Sequence, residues 1–598
     1  MNENSTLVRL LYERSETDGN QVAYRYKELG IWNEVTWGEF RQQVESVALE
    51  LECMIGPGDR VAIIGENKPE WAIAHLAVQS VGGIPMGVFE LYADHLKEAL
   101  VDFKPKVVFI GGVDHHENLA SIQENVPFIE QLIDFDETTS LNDSAIPIRS
   151  FQELLQAGEI RNKDQPNFLT ERIEEFDPID VALMVRESTG KASTVELTHK
   201  EVIEAAQRIC ESENIEALDD YLPILSLATM NEYLFTIALS IYRGTVSNFP
   251  EKPNTVLKDF IEIAPQHLVA PPRVYQKIRS EVTVRLKDAT WFKRKVFQYF
   301  DSVKHKTVQA KFNGDSSGDL MGQLSDLVIF QFIRKHYGFH RMKTALVSRG
   351  MIDEETYVFF HKLGIPVRHT YSAADVGGIA TIQESMDFDR ASLGIPLSGV
   401  NLSVEDERVT INSQQTGHYG EVNDGRLYVF GHETERITLL SGEASDPMRT
   451  ENRLKESLYI KEAVCFGEKH QYLTAILNID FDTVSRWADQ EQLAFTTYED
   501  LAKHERVIEL IGEEVSQLMS ELPEKDRVRN FVLLPKMMTE EDGELTNTLQ
   551  VKRAFVSEKY QALIDLMYSK QMGVQPVDET DEEASLSFVT LDSEGSVS

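Results

Sequence analysis

The 598-residue sequence contains only three cysteines, and their spacing fits neither a metal site nor a redox motif. This excludes a disulfide framework, and we expect Cys53, Cys210 and Cys465 to be unpaired, buried thiols in a reducing compartment. No apolar run approaches the roughly 18 residues that span a bilayer, and residues 1–20 lack the apolar core of a signal peptide. We therefore expect a cytoplasmic protein with at most peripheral membrane contact.

Basic residues are scarce, since 59 Lys and Arg stand against 98 Asp and Glu and give a formal net charge of −39. A field of that sign repels nucleic acids, which are therefore not expected partners. One segment, residues 273–312, is basic and contains Trp291, Phe292, Phe297 and Phe300. A basic amphipathic helix can dock on anionic lipid, but we favour an ordinary surface helix whose aromatic face packs on its own domain.

Apolar runs alternate with helical patterns over residues 22–112. VAIIG (61–65), IPMGVF (84–89) and KVVFIGG (106–112) predict buried strands, and the segments between them predict helices. This alternation is typical of a parallel, doubly wound sheet. The pattern recurs over residues 182–246 and again from residue 267.

The remainder of the chain has a different organisation. Residues 392–440 are rich in strand patterns and polar turns, which predict antiparallel hairpins or a small barrel, and residues 442–568 mix helices and strands. We predict an α/β fold with a large N-terminal part of doubly wound sheets plus a small antiparallel β region, and a smaller α+β C-terminal domain. The predicted domains are 1–431 (β-rich over 392–431) and 432–570, followed by an acidic, disordered tail, 571–598.

Four segments match one known family in order and spacing: ENKPEWAIAHLAVQSVGGIPMGVF (66–89), VAPPRVYQKI (269–278), LGIPLSGV (393–400) and GELTNTLQVKR (543–553). They resemble the adenylate-forming (AMP-binding) superfamily, and within it the long-chain acyl-CoA synthetases. The likeness runs over residues 5–568. It implies a ligase that joins a fatty acid to AMP using ATP and magnesium, and then transfers the acyl group to coenzyme A.

The phosphate-binding loop of that family reads Thr-Ser-Gly-Thr-Thr-Gly-x-Pro-Lys-Gly. The corresponding residues here are Val185, Arg186, Glu187, Ser188, Thr189, Gly190, Lys191, Ala192, Ser193 and Thr194. Ser188, Thr189 and Gly190 survive as cofactor-binding candidates, and Lys191 is a possible substitute for the family lysine. Glu187 brings a Cβ and a negative charge to a place where backbone should approach phosphate.

The adenine-binding motifs also differ. The family sequence Ser-Gly-Gly reads Ser348, Arg349 and Gly350, and Tyr-Gly-x-Thr-Glu reads Tyr371, Ser372, Ala373, Ala374 and Asp375. The resemblance makes Gly350 and Tyr371 candidate nucleotide contacts. It makes Asp375 the candidate magnesium ligand and catalytic carboxylate, in place of the family glutamate.

The ribose, hinge and C-terminal motifs lose charged groups. His418 replaces the ribose-binding aspartate, and His432 replaces an arginine of the hinge segment; both remain candidate cofactor contacts. Gln550 replaces the catalytic lysine, and Lys552 is a possible substitute. Removing one electrostatic stabiliser of a transition state commonly lowers the rate by about 10²–10³.

Three hypotheses remain open. The one we favour is an inactive or weakly active homologue of a long-chain acyl-CoA synthetase, which binds a fatty acid, an acyl-CoA or an active ligase subunit. The second is a working fatty acid–CoA ligase with a rebuilt site. The third is an ATP-independent acyl transferase on the same scaffold. The resemblance implies ATP, magnesium and coenzyme A as cofactors, and the motif departures weigh against their use here.

Overall fold

The structure of the protein is a computed structural model. It describes residues 5–89, 93–136, 144–165, 168–187, 193–287, 290–312, 320–374, 377–385, 387, 389, 391–455, 457–520, 522–539, 542–545, 551–568 and 588–590. The chain forms two compact units. Unit 1 comprises residues 1–403, 410–416 and 422–427, and unit 2 comprises residues 404–409, 417–421 and 428–598.

Unit 1 contains two large sheets covered by helices. Its strands up to residue 396 are β1 Val22–Glu28, β2 Ile31–Thr36, β3 Arg60–Ile64, β4 Ile84–Val88, β5 Val107–Ile110, β6 Gln131–Asp134, β7 Ile148–Ser150, β8 Val181–Glu187, β9 Ser193–Thr198, β10 Asp220–Tyr221, β11 Val246–Phe249, β12 His267–Ala270, β13 Thr344–Val347, β14 Val367–Ala373, β15 Gly378–Ile382 and β16 Ile395–Pro396. Its helices are α1 Leu7–Thr17, α2 Trp37–Leu51, α3 Pro69–Ser80, α4 Ala93–Phe103, α5 Val113–Ile122, α6 Phe151–Asn162, α7 Phe168–Arg172, α8 His199–Glu213, α9 Met230–Tyr233, α10 Leu239–Arg243, α11 Val256–Ile263, α12 Pro272–Lys287, α13 Trp291–Phe312, α14 Leu320–Ser325, α15 Gln331–His336 and α16 Glu354–Lys362.

The first sheet confirms the predicted parallel strands. Among the described residues its order is β7-β6-β5-β3-β4-β8-β9. The strands from β7 to β8 run parallel, and β9 returns antiparallel to β8. The runs VAIIG, IPMGVF and KVVFIGG became the central strands β3, β4 and β5, because apolar side chains on both faces suit a sheet that helices cover on both sides.

The second sheet has the order β16-β15-β14-β13-β12-β10-β11-β1-β2 in the described part of unit 1. Its centre is parallel, whereas β1 with β2 and β14 with β15 and β16 form antiparallel edges. The predicted recurrence of the doubly wound pattern is therefore confirmed.

Helices of unit 1 begin where the sequence offers a capping residue. Thr36, Ser150 and Thr198 each accept a hydrogen bond from the backbone of a glutamate three residues later, and that glutamate accepts a bond in return. Such reciprocal capping satisfies backbone donors that a helix start leaves open. It fixes the starts of α2, α6 and α8.

A four-stranded sheet follows in chain order: β17 Leu402–Glu405, β18 Arg408–Ile411, β19 Gln414–Asn423 and β20 Arg426–His432. Two-residue turns join these strands: Asp406-Glu407, Asn412-Ser413 and Asp424-Gly425. All six turn residues have positive φ, between 50° and 79°, which is the signature of type I′ hairpin turns. The predicted antiparallel hairpins are present.

Unit 2 continues with a mixed α+β arrangement. Its further elements are β21 Ile437–Thr438, β22 Ala444–Ser445, α17 Pro447–Leu454, β23 Ile460–Phe466, β24 Leu473–Ile479, α18 Phe481–Gln490, α19 Tyr498–Ala502, α20 Glu505–Ser520, β25 Val528–Leu533, α21 Arg553–Lys559, α22 Gln561–Tyr568 and β26 Phe588–Thr590. The sheet order is β23-β24-β25-β26, and one apolar cluster lies on each face of this sheet. The smaller α+β domain is confirmed.

Residues 588–590, within the segment predicted to be an acidic tail, pair with β25 as the strand β26. The local sequence Phe-Val-Thr favours a strand, and it matches the open edge of β25. The expectation of three buried thiols is wrong for Cys53, which is exposed because it lies past the end of α2, and for Cys210, which is half-buried. Cys465 is buried, and all three thiols are free.

No helix among the described residues is long and apolar enough to cross a membrane.

Candidate functional site

Unit 1 contains a cleft that is open to solvent. The residues that line it are Gly87, Val88, Phe89, Val185, Arg186, Leu225, Ala228, Thr229, Met230, Asn231, Ser348, Arg349, Ser372 and Ala374. Many of them lie at the carboxyl ends of the parallel strands β4, β8, β13 and β14. Ligands of open α/β sheets bind at such ends.

The cleft brings together residues from three predicted motifs. Val185 and Arg186 come from the phosphate loop, Ser348 and Arg349 from the adenine loop, and Ser372 and Ala374 from the following tyrosine motif. These three pairs of residues are far apart in sequence, and only their resemblance to family motifs predicts that they share one site. One part of the predicted site is therefore assembled in space.

Other predicted residues lie elsewhere. Tyr371 is 5% exposed within β14, beside a register shift between Tyr371 and Ser372, and it is not among the described residues that line the cleft. Gly350 is exposed, has φ +149° and lies against Pro272, from which a Cβ at Gly350 would be 3.1 Å away. Ser188, Thr189, Gly190, Lys191, Asp375 and Gln550 fall outside the described residues.

Arg186 contributes a buried cation to the cleft. Its guanidinium is 3.3 Å from Glu98 and 3.5 Å from Asp102, two carboxylates on α4, and its side chain is 8% exposed. Its Nε is buried without a hydrogen-bond partner among the described residues. One cation therefore faces two carboxylates, which leaves this cluster with a formal charge of −1.

Arg349 brings a second cation and an unusual backbone. Its φ is +61°, a left-handed conformation that costs an ordinary residue about 1–2 kcal/mol. The neighbouring Ser348 is fully buried, and its Oγ has no hydrogen-bond partner in the described structure. The loop thus keeps a glycine-like path although arginine occupies the position.

Sequence reasoning missed Asn231, which lies at the start of α9. Its Nδ2 donates a 2.9 Å hydrogen bond to Ser372 Oγ, while its buried Oδ1 lacks a partner among the residues described. Buried polar atoms are rarely left unpaired. Because Asn231 Oδ1, Ser348 Oγ and Arg186 Nε all belong to cleft residues, they mark the cleft as a place for a polar ligand or for water.

Glycine at position 87 sets the shape of the cleft. A Cβ there would lie 2.6 Å from Ala228 Cα and 2.8 Å from the Trp71 ring. The end of β4 can therefore approach the segment before α9 only because residue 87 has no side chain. Sequence inspection offered no signal for this contact, since residues 87 and 228 are remote in the chain.

Unit 2 holds His418 and His432, the two histidines that the motif resemblance places at charged positions of the family. The rings of His418 and His432 are 4.9 Å apart in an edge-to-face arrangement. Gly417, at φ +72°, permits this contact, because a Cβ there would lie 2.6 Å from His432 Nε2. Two substituted motif positions therefore remain neighbours, on β19 and β20.

The C-terminal motif is partly described. Leu545 and Val551 pair across it, and the Lys552 backbone N–H donates a 2.9 Å hydrogen bond to the Glu544 carbonyl immediately before α21. The adjacent Arg553 binds both carboxylate oxygens of Glu451, at 2.5 and 2.8 Å. Burial opposes the charge of Arg553, but pairing with Glu451 outweighs burial and raises the Arg553 pKa. Arg553 therefore stabilises unit 2.

Two histidines outside these motifs have hydrogen-bond partners that fix their place in the fold. His116 is fully buried and 3.0 Å from Asp134, and His199 Nδ1 accepts a hydrogen bond from the Leu7 N–H. Burial lowers the pKa of His199 to about 4, so it packs in the neutral form. Within the described ranges, no group of three or more His, Cys, Asp or Glu side chains could hold a metal ion.

The two sheets of unit 1, with a cleft at their carboxyl ends, and the small α+β unit define an adenylate-forming fold. The family described as AMP-binding enzyme matches residues 11–433, and its C-terminal domain matches residues 434–572. The chain therefore belongs to the AMP-binding enzyme family, which confirms the resemblance seen in the sequence.

Curated relatives cover nearly the whole chain. The long-chain-fatty-acid–CoA ligase FadD15 of Mycobacterium bovis is 23% identical over 602 residues, which is 95% of this chain and 98% of that protein. The long-chain-fatty-acid–CoA ligase ACSBG2 of Xenopus laevis is 22% identical, over 94% of this chain and 84% of that protein. The chain is thus similar to ligases of long-chain fatty acids.

Solved structures share the fold. The anthranilate CoA ligase AuaEII in complex with anthranoyl-AMP has a TM-score of 0.67 at 14% identity, covering 94% of this chain and 99% of that one. The A-PCP didomain of carboxylic acid reductase from Segniliparus rugosus, in complex with AMP, also has a TM-score of 0.67 at 14% identity, covering 95% and 82%. At this identity the likeness establishes the fold alone.

Proposed function

We propose that this chain is a member of the AMP-binding enzyme family that binds a long-chain acyl ligand in the cytoplasm and has little or no ability to adenylate it with ATP. The ligand is a fatty acid or an acyl-CoA. The names of the relatives support this ligand class. An active ligase of the same family is the partner we propose for it.

The observation that carries the proposal is the environment of Arg186. At a position where the family has a serine, this arginine is buried in the cleft and paired with Glu98 and Asp102. A triphosphate needs cations and backbone donors that are free to meet its charges. Arg186 supplies no such net charge, since the cluster around it is formally −1.

Calorimetry tests the binding part of the proposal. Separate titrations use magnesium–ATP, AMP, palmitate and palmitoyl-CoA. We expect heat from palmitate or palmitoyl-CoA, and far weaker binding of either nucleotide. Tight nucleotide binding by the unaltered protein would overturn the proposal, as would failure of both acyl ligands to bind.

Variants test whether the pairing of Arg186 is the cause. The double substitution Glu98→Gln and Asp102→Asn removes the two negative charges that Arg186 faces, so we expect it to raise AMP affinity by about tenfold or more, equivalent to 1.4 kcal/mol. Glu52→Gln with Glu175→Gln is the matched control, because these two carboxylates pair with one arginine, Arg172, in the same way but lie outside the cleft. The control should leave nucleotide binding unchanged.

A turnover assay tests whether the protein lacks adenylation activity, as we propose, or is a working ligase. The second candidate is a working ligase with a rebuilt site, which is favoured by alignment with ligases over 95% of the chain. Protein is incubated with ATP, magnesium and palmitate, and AMP and acyl-adenylate are measured. Turnover that Lys191→Ala or Lys552→Ala abolishes would establish the competitor. We expect no turnover, and none after Gln550→Lys alone.

A further inference from the structure

The helical pair formed by α13 and α14–α15 has an unusual exposed surface. Helices α14 and α15 follow each other without a loop, and a π-helical turn over Asp326–Phe330 joins them. On their inner sides the two helices contribute Phe297, Phe312 and Phe330 to an apolar cluster of unit 1. Their outer sides have no such partner in the described structure, and their chemistry differs from the rest of this acidic chain.

All but one of the exposed residues described on α13 lie on one face, and the exception is Lys311 near its C-terminal end. They follow the helical spacing of three and four residues and are Trp291, Arg294, Lys295, Gln298, Tyr299, Ser302, His305 and Lys306. The face contains three permanent cations and two aromatic rings, and no carboxylate. Trp291 is 68% exposed and Tyr299 is 57% exposed.

The second helix exposes large apolar side chains. They are Met321, Leu324, Leu327 and Phe332, between 43% and 68% exposed. Together with Trp291 and Tyr299, six large apolar side chains are exposed on this helical pair. Single exposed apolar residues are ordinary, but such a concentration marks an interaction surface.

Carboxylates near this surface are already neutralised. Asp301 binds Lys362 at 2.7 Å, and Asp326 binds both nitrogens of Arg334 at 2.8 Å. These two are the only carboxylates in the described residues of α13 to α15. In contrast, no ion pair is formed by Arg294, Lys295 or Lys306 with any residue that the structure describes.

The net charge of −39 does not cancel this local surface. Charges on the protein are screened over about 10 Å at 0.1 M salt, so an approaching surface senses mainly the nearest groups. Those groups are cations and apolar side chains, the combination that places a helix in the interface of an anionic bilayer.

We propose that the helical pair α13–α15 docks on an anionic phospholipid surface, with the cations toward the headgroups and Trp291, Leu327 and Phe332 among the side chains that enter the interface. The sequence alone favoured an ordinary surface helix packed on its domain. In the structure one face of α13 packs on its own domain through Phe297, and the other face is exposed to solvent at Trp291. This inference does not depend on the proposed function.

Vesicle co-sedimentation tests the docking. The full chain is mixed with vesicles of phosphatidylcholine alone, or of phosphatidylcholine with phosphatidylserine, at low and at high salt. We expect sedimentation with the anionic vesicles only, and less of it at high salt. Equal binding to both vesicles, or binding to neither, would overturn the proposal.

Two sets of variants locate the surface. Each basic side chain near an anionic membrane strengthens binding about fivefold, so Arg294→Gln, Lys295→Gln and Lys306→Gln together should weaken it on the order of 100-fold. Leu327→Ser with Phe332→Ser should also weaken it. The matched controls are Lys104→Gln, Lys163→Gln and Lys258→Gln for charge, and Ile160→Ser with Ile179→Ser for exposed apolar residues; controls that reduce binding equally would refute the assigned surface.

Fluorescence gives a second readout. Trp291 is the most exposed large apolar side chain described on α13. Its fluorescence emission should shift to shorter wavelength when anionic vesicles are added. Trp291→Phe should remove that shift. A vesicle-free shift that depends on protein concentration, with dimers in light scattering, would instead assign this face to a second copy of the chain and would overturn the membrane proposal.

Discussion

Arg349 keeps a backbone conformation that suits glycine, with φ at +61°. Such strained residues persist where the surrounding fold determines the path of the chain, and they concentrate at ligand sites. The loop after β13 therefore follows a backbone path that suits glycine although residue 349 is arginine. Arg186 is a second large cation in the cleft, and its guanidinium is buried where the motif resemblance implies a serine.

Asp219 provides a test at the scale of one residue. Burial alone would raise its pKa, but hydrogen bonds from His267, the Glu216 N–H and Lys343 outweigh burial and lower it to about 2. The ionised form is therefore stabilised by folding. That contribution is complete above the unfolded pKa near 3.9 and is lost as the pH falls through about 2.

We expect Asp219→Asn to lower the free energy of unfolding at neutral pH by about 2 kcal/mol, with the deficit shrinking as the pH falls from about 4 toward 2. Urea unfolding over a series of pH values measures it. Asp164→Asn is the control, because Asp164 is exposed and forms no ion pair with the described residues. A deficit that is constant with pH would show that the carboxylate charge is not the cause.

At the scale of elements, the contact between α2 and α6 depends on one glycine. A Cβ at Gly158, inside α6, would lie 1.9 Å from the Ser46 carbonyl oxygen on α2. Helix propensity favours alanine over glycine by about 1 kcal/mol. The packing predicts the opposite sign, because the two backbones touch at this point.

We expect Gly158→Ala to destabilise the protein by about 1–3 kcal/mol, as overpacked cores do. Thermal or urea unfolding measures the change. Gly56→Ala is the control, since no atom lies within 4 Å of a Cβ there. Stabilisation by Gly158→Ala would mean that propensity outweighs the helix contact.

The type I′ turns belong to the same scale. Asp406-Glu407, Asn412-Ser413 and Asp424-Gly425 all adopt positive φ, and Asn, Asp and Gly tolerate that conformation best. The polar turns between strand patterns were visible in the sequence. The turn type followed only from the pairing of twisted strands.

At the scale of the whole molecule, charge dominates. A net charge of −39 makes the compact state repel itself, and added salt screens that repulsion. We expect the urea midpoint to rise as sodium chloride is added from low to moderate concentration. Urea is the suitable denaturant, because guanidinium chloride is itself a salt.

Potassium chloride at equal ionic strength is the control for this measurement, and it should give the same rise if screening is the cause. A midpoint that falls with salt would show that attractive ion pairs, such as Arg553 with Glu451, outweigh the global repulsion. The same salt series weakens the proposed membrane docking, so stability and docking should respond in opposite directions.

Sequence patterns were enough to predict the family, the parallel strands β3, β4 and β5, and the small α+β domain, because apolar periodicity and ordered motifs are local properties of the chain. They also identified Arg186 and Arg349 as departures from the family motifs. The roles of Ser188, Thr189, Gly190, Lys191, Asp375 and Gln550, and the domain boundaries, stay predictions.

The partners of the cleft residues could not be predicted without the folded structure. Glu98 and Asp102 neutralise Arg186, and Asn231 reaches Ser372, through contacts between elements remote in sequence. Likewise, the basic aromatic segment has an inner face with Phe297 and an exposed face with Trp291, and the sequence did not predict which residues lie on which face. Burial and pairing depend on what the rest of the chain brings near, and no local pattern encodes that.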